Sequence, residues 1–264
     1  MEKSSPDSGQ HGFHDISVQG RRILLKSHHS VPMPSLLKSG QWEPHLFRIL
    51  DHYLRPDRNY VDMGAFIGAT VLYAAHLAEH CFAIEPNPLS HRILMDNLAL
   101  NQATGSKVTA FEGCVWRECG SCTVVAPGKR PHTGATSIRH AAGCASWEVK
   151  ALTFAEFVRE FGVKNVNFIK MDIEGAESAV LPTMKDYLRA ERPTVLVSVH
   201  AFNYTNRPAE ISDVIDSVSH YRYLYRRDGL PLDVDAVLQG RGLQTHSSEN
   251  SDILASDLPW IRCF

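Results

Sequence analysis

Three carboxylates, Asp172, Glu174 and Glu177, fall within six residues directly after the strand-like run Phe168–Met171, with Gly175 among them. A charge released at the rim of a dry strand is costly unless something matches it. A cationic ligand would match it, and so would a hydroxyl that must lose its proton. Asp172 is therefore the first candidate to position or deprotonate an acceptor, with Glu174 supporting it. Glu177 falls in the first turn of the next helix, where the dipole stabilises a carboxylate by about 0.3–1 kcal/mol, which is a sufficient structural reason for it. His200, at the end of a later apolar run, is the second base candidate, because an imidazole titrates near neutrality. Lys170 is expected on the face opposite Asp172 and is a weaker candidate. Asp172, Glu174 and His200 together are chemically suited to a divalent cation, but no tight ligand spacing supports one, and no metal site is expected.

Two further stretches offer ligand-binding chemistry. In "VDMGAFIGAT" a strand ends at Asp62, the turn holds Gly64, Ala65 and Gly68, and Thr70 lies in the first turn of a helix. Glycines allow close backbone approach to a ligand, and free N–H groups at a helix start meet its polar atoms. The spacing is G-x-x-x-G, so the dinucleotide fingerprint G-x-G-x-x-G is not met. An acid before the turn would repel a pyrophosphate and suit a cation. In "FAIEPNP" a strand ends at Glu85, followed by Pro86 and Asn87, and an acid there can accept hydrogen bonds from ribose hydroxyls. Together these features suit S-adenosylmethionine, which joins an amino acid, a ribose and a positive sulfonium.

The chain resembles a class I methyltransferase of the FkbM family. The resemblance rests on "YVDMGAFIGAT", "FAIEPNP", "NLALN", "ALTFAEFV" and "IKMDIEGAE", and spans roughly residues 40–200, the D-x-E-G-x-E block being its most diagnostic part. It implies a Rossmann-like fold, a mostly parallel seven-stranded sheet, and methyl transfer from S-adenosylmethionine, usually to a hydroxyl oxygen of a small molecule such as a sugar or polyketide. By the same resemblance, Asp62, Gly64 and Gly68 line the methionine end, Glu85 holds the ribose, and Gly113 and Cys114 approach the adenine. One position departs from the family. Relatives often carry an acid in "VLVE-x-H", where this chain reads "VLVSVH" with Ser198.

The elements that must position these residues alternate. Strands are expected at "NYVDM", "CFAIE", "KVTAFEG", "VNFIKMD" and "PTVLVSVH". Helices are expected over 43–54, 68–80, 89–101 with Ser90 as N-cap, 153–162 with a Thr153–Glu156 capping box and Gly162 as its stop, and 175–190, bent or interrupted near Pro182. The tail offers a helix near 208–219 and strands at "YRYLY" and "DILASD". Such alternation predicts a doubly wound α/β sheet whose strand ends share one edge. That edge would collect Asp62, Glu85, Glu112, Asp172 and His200. Residues 1–15 read as a disordered leader, and 16–56 as an N-terminal cap or lid containing "ISV", "RILL" and a loop, "HHSVPMPS". The domain proper is expected over 57–264, with a β-hairpin insertion at about 115–150. Trp42 and Glu43, and Arg130, His132 and Arg139 of the insertion, are candidate walls for the acceptor.

Bulk properties narrow the function. The net charge is −2 and the sequence pI about 6.7, which argues against nucleic acid as a partner. No apolar run is long enough to span a bilayer, and no secretory signal is visible, so a cytoplasmic protein, able to form a homo-oligomer, is expected. Cys114, Cys119 and Cys122 show C-x4-C-x2-C spacing and Cys144 follows, but on strand-like segments free cysteines act as small hydrophobes. Two other functions compete with methyl transfer: a non-catalytic S-adenosylmethionine-binding scaffold, and a nicotinamide-dependent oxidoreductase, which the glycine spacing disfavours.

Overall fold

The structure, a computed structural model, describes residues 12–28, 31–126, 137, 144–241 and 251–260. Its first elements are a hairpin, β1 (Phe13–Val18) and β2 (Arg21–Lys26), turned at Gln19 and Gly20, both at positive φ. Residues 13–15 are thus strand rather than leader, and residues 1–11 lie outside the described residues. The stretch expected as a loop carries a short helix, α1 (Met33–Lys38). Pro34 is tolerated there because the first helical turn has no partner for its N–H groups. The helix α2 (Pro44–Tyr53) follows, its apolar face buried through Leu46, Phe47, Ile49 and Leu50.

Alternating elements then build the main sheet: β3 (Asn59–Met63), α3 (Ala69–Ala74), β4 (Cys81–Glu85), α4 (Pro88–Leu100), α5 (Gln102–Gly105) and β5 (Val108–Glu112). The helix after β3 stops at Ala74, several residues short of the expected end. Asn87, not Ser90, caps α4: its Oδ1 accepts from the N–H of Leu89 and Ser90, with Pro88 preset at the first helical position. A side sheet joins β6 (Cys114–Val115), β7 (Gly120–Ala126) and β8 (Ala145–Leu152) in the order β6-β8-β7. β7 and β8 pair antiparallel, which is the expected hairpin. Arg130, His132 and Arg139 lie outside the described residues.

The chain returns through α6 (Phe154–Glu160), β9 (Val166–Met171), α7 (Glu177–Glu191), β10 (Thr194–Val199), a 3-10 turn (Ala201–Asn203), α8 (Arg207–Val218), β11 (Tyr223–Arg226), α9 (Val234–Leu238) and β12 (Ser251–Ser256). Thr153 caps α6 through the N–H of Glu156, but the reciprocal half of the box does not form. The Glu156 carboxylate pairs with Arg159, and the Thr153 N–H faces Cys119 Sγ. α7 runs unbroken through Pro182, whose missing N–H leaves the Ser178 carbonyl without its ladder bond.

The seven-stranded sheet has the order β11-β12-β10-β9-β3-β4-β5. The strands from β10 to β5 are parallel, while β12 runs antiparallel to both of its neighbours. Its two faces bury separate cores, as a doubly wound sheet requires. Val61, Ile169 and Val197 pack with α6, α7 and α8 on one face. Tyr60, Phe168 and Leu196 pack on the other with α2, α3, α4 and the β1–β2 hairpin. Side-chain alternation sends Asp62, Lys170 and Ser198 towards that second face, which is where the site forms.

Candidate active site

The ends of β3, β4 and β9 open into a cavity of about 270 Å³. Gly64 makes the opening possible. It sits at φ +83°, and a Cβ there would lie 1.9 Å from the carbonyl oxygen of Asp172. Only glycine lets the β3 loop pass so close to the β9 end. Gly64 and Ala65 both donate N–H bonds to the Ile84 carbonyl, and Phe66 next to them is held at φ +53°.

Beneath that loop lies a buried charge row. Asp62 and Lys170 stand directly opposite each other on β3 and β9 and are 0% and 3% exposed. Lys170 Nζ is 3.4 Å from Asp62 Oδ1 and 3.3 Å from Asp172 Oδ2, and Thr70 Oγ1 donates to Asp62 Oδ2 at 2.5 Å. The expectation for Lys170 is thus corrected. Residues 170 and 172 are two apart, so a period of two puts them on the same side of the strand. Burial pushes the Lys170 ammonium towards its neutral form, but Asp172 and Asp62 outweigh it and hold the charge above its usual range. Burial likewise pushes the Asp172 carboxyl up, while Lys170 and then His200 pull it below the ordinary value.

Glu85 ends β4 and is almost fully buried. Its Oε2 accepts from the Phe66 N–H at 2.7 Å and its Oε1 from the Asn87 N–H at 2.8 Å, so the carboxylate is aimed from both sides. Burial raises it to about 7, against the pull of those two N–H groups.

The opening cluster of carboxylates resolves into two roles. Glu177, 0% exposed at the start of α7, accepts from His200 Nδ1 at 2.8 Å, from Tyr204 Oη at 3.2 Å and from the Gly175 N–H at 3.1 Å. It is a structural anchor, as expected, but it also fixes the imidazole. His200 Nε2 lies 3.5 Å from Asp172 Oδ1 and 3.5 Å from Glu174 Oε2. Burial disfavours the imidazolium, yet Glu177, Asp172 and Glu174 outweigh that and raise His200 to about 10. That arrangement favours the imidazolium, which faces the carboxylates of Glu177, Asp172 and Glu174. Glu174, at φ +53°, is raised to about 7 by burial and by Asp172 and Glu177, against the pull of His200. Its carbonyl accepts from Ser137 Oγ and Asn203 Nδ2, which locks that unusual backbone.

The cavity gathers Gly64, Ala65, Thr70, Glu85, Pro86, Cys114, Asp172 and Glu174. The other expected contacts stand behind it. Asp62 is sealed into the ion pair with Lys170, and Asn87 caps α4. Gly68 starts α3 at φ +89°, where a Cβ would meet Leu94 at 2.4 Å, and a Cβ on Gly113 would strike the Phe111 ring and the Lys150 carbonyl. Glu112 turns away, is exposed and faces His91 at 3.6 Å. Lys170, which the sequence reading placed on the opposite face, lines the cavity, and so does Phe66, which it missed. The two-residue step from Lys170 to Asp172 was the signal for the first; nothing in the sequence marks the second.

Trp42 and Glu43 also line the cavity. Glu43 precedes α2 in a left-handed conformation, φ +41°, and is raised to about 7 by burial and by the nearby Asp172. Trp42 separates this cavity from a second hollow of about 400 Å³ bordered by Lys38, Phe47 and Arg48. Beside the site, Ser198 donates to Asp252 Oδ1 at 2.9 Å, its register partner on β12. Asp252 also pairs with His45 at 3.3 Å and with Arg227 at 3.7 Å, and it does not line the cavity.

Among the described residues, Asp172, Glu174 and His200 form the one group whose ligand atoms cluster as a metal site would need, all within 4.8 Å of one another. The cysteines do not join them. Cys114 is buried and raised to about 12 by burial and by neighbouring Cys122, whereas Cys119 is exposed beside Thr153.

A mostly parallel sheet with a carboxylate-lined cavity at its strand ends is a doubly wound α/β architecture. The sequence model of the "Methyltransferase FkbM domain" matches residues 62–225, and the chain belongs to that family. Among solved structures, the chain is similar to methyltransferase FkbM from Methylobacillus flagellatus KT, with 14% identity and a TM-score of 0.49 over 87% of this chain and 56% of that one. This chain therefore spans little more than half the length of that relative. It is also similar to precorrin-6y C5,15-methyltransferase from Geobacter metallireducens GS-15, with 15% identity and a TM-score of 0.41 over 70% and 72% of the two chains. A third is the O-methyltransferase from Bacillus cereus, solved in complex with SAH, with 10% identity and a TM-score of 0.44 over 81% and 78%. No curated protein matches the sequence. No helix among the described residues is long and apolar enough to cross a membrane.

Proposed function

We propose that the chain is an S-adenosylmethionine-dependent methyltransferase acting on a hydroxyl oxygen of a small molecule. The observation that carries this reading is the charge of the cavity. Glu43, Glu85, Asp172 and Glu174 line it against the single ammonium of Lys170, a balance that favours a cationic cofactor over a phosphorylated one. When bound, that cofactor supplies the methyl group: the acceptor oxygen bonds to the methyl carbon while the carbon–sulfur bond breaks and its electron pair stays on sulfur.

The protein's own part follows from the residues. Glu85, held by two backbone N–H groups, has oxygen lone pairs left for ribose hydroxyls. The backbone at Gly64 and Ala65 faces the amino-acid end, and Cys114 and Val115 offer an apolar wall for the base. Asp172, about a quarter exposed at the rim, takes the acceptor proton or orients the hydroxyl. Trp42 and Glu43 close the acceptor side and act as part of the lid.

Separate titrations of S-adenosylhomocysteine and NAD against the protein test the cofactor. Saturation by the first alone supports the reading, and binding of NAD alone overturns it. Radiolabelled methyl transfer to a panel of hydroxylated sugars and polyketides tests turnover. Binding without transfer to any acceptor would favour the scaffold alternative.

The ribose assignment makes a pH prediction. A hydroxyl donates more strongly to an ionised carboxylate than to a neutral one, by about 1 kcal/mol. Cofactor binding thus favours ionised Glu85 and expels its proton near pH 7. Affinity for S-adenosylhomocysteine is expected to fall, by up to about tenfold, from pH 8 to pH 6. Calorimetry on the protein and on Glu85→Gln checks this. A wild-type affinity independent of pH would remove the assignment.

A further inference from the structure

We propose that Asp172, Glu174 and His200 form a divalent-cation site on the acceptor side of the cavity, with Glu177 as the outer carboxylate that fixes the imidazole. Ligand atoms about 2.0–2.2 Å from a common ion, at angles of about 90–110°, lie roughly 2.8–3.6 Å apart. His200 Nε2 sits 3.5 Å from Asp172 Oδ1 and 3.5 Å from Glu174 Oε2, inside that span and too long for good hydrogen bonds. A central ion accounts for the separation.

The histidine provides the second observation. It is 2% exposed, and its Nε2 faces Asp172 and Glu174 at 3.5 Å each. A nitrogen aimed between two carboxylates at that distance converges with their oxygens on a point that one cation can occupy. Its other nitrogen is held at 2.8 Å by Glu177, which is itself held by Tyr204 and the Gly175 N–H. This carboxylate–histidine relay is how metal-binding imidazoles are oriented. Ligation requires Nε2 to release its proton, and the cation replaces the charge so lost.

The site is also open on one side. Asp172 and Glu174 are 24% and 26% exposed and line the cavity, whereas His200 is behind them. Three protein ligands with free positions towards a pocket suit an ion that takes an oxygen of the substrate. One nitrogen and two carboxylates favour Mn²⁺, Fe²⁺ or Zn²⁺ over Mg²⁺, which prefers an all-oxygen set. Lys170 occupies Asp172 Oδ2 and leaves Oδ1 for the ion. The role at the acceptor oxygen rests on the methyltransferase reading; the binding does not.

The test uses the full chain stripped with EDTA and titrated with Mn²⁺, followed by electron paramagnetic resonance of the free ion. One Mn²⁺ per chain is expected, with binding weakened more than about tenfold in Glu174→Gln, a loop position that can lose its charge and keep the fold, and in His200→Gln. Circular dichroism melts verify that both variants are folded. No saturable Mn²⁺ binding by the wild type, or binding unchanged in folded Glu174→Gln, overturns the site. S-adenosylhomocysteine is titrated against the same stripped sample. Cofactor binding without Mn²⁺ binding removes the metal site and leaves the methyltransferase reading intact, while the converse removes that reading and keeps the site.

Discussion

An Asp172→Asn variant is expected to lose about 10²–10⁴ of turnover while its affinity for S-adenosylhomocysteine changes by less than about threefold. Asparagine preserves the shape of the side chain but cannot accept a proton at neutral pH. The residue stands at the cavity rim, about a quarter exposed, so the change leaves no sealed cavity behind. The fold tolerates it for a second reason: Lys170 loses one carboxylate partner but keeps Asp62 at 3.4 Å. The two candidate roles of Asp172 separate in the kinetics. If it orients the acceptor, the KM for that acceptor rises along with the fall in kcat. If it accepts the proton, kcat falls alone and recovers in part as pH rises and the hydroxyl ionises without help. Undiminished turnover with normal cofactor affinity would remove the residue from the chemistry.

How far the sequence disclosed this arrangement depends on which interactions are local. The strands, the glycine turn and the carboxylates at the ends of β4 and β9 were legible because apolar runs, turn residues and period-two alternation are read along one segment. Glu85 illustrates this: a strand followed by "PNP" both ends β4 and leaves the carboxylate where two backbone N–H groups can aim it. Cross-strand partners were not legible. Asp62 and Lys170 are 108 residues apart, and only the adjacency of β3 and β9 makes them a pair. Asp252, 54 residues after Ser198, became its partner through an antiparallel strand inserted next to β10. No reading of the "VLVSVH" stretch alone could reveal that Asp252 stands opposite Ser198. Glu43 reached the cavity because α2 begins with a left-handed residue, a conformation that glutamate adopts only rarely. Asn87 and Ser90 both suit an N-cap, and the choice between them followed from Pro88, which fixes where the helix can start.

A Lys170→Met variant is expected to lose about 3–5 kcal/mol of stability, read as a lower urea midpoint at unchanged slope. Methionine fills most of the volume of the lysine stem, so the effect is mainly electrostatic. Asp62, fully buried, would be left with the Thr70 hydroxyl as its side-chain partner and no opposing charge. An isolated buried carboxylate is far more costly than a missing ion pair, so the remedy is to remove the second charge as well. The double variant Asp62→Asn, Lys170→Met is expected to recover most of the loss, with a coupling of up to about 3 kcal/mol between the two positions. Additive losses would show that the pair does not hold β3 to β9. The same ammonium lies 3.3 Å from Asp172, so the double variant tests function separately from stability. It is expected to fold well and still turn over slowly, because Asp172 loses the stronger of the two cations, Lys170 ahead of His200, that keep it ionised next to Glu43 and Glu174. Recovery of stability without recovery of activity would assign Lys170 both tasks: joining two strands in the core, and holding the charge of the carboxylate that faces the substrate.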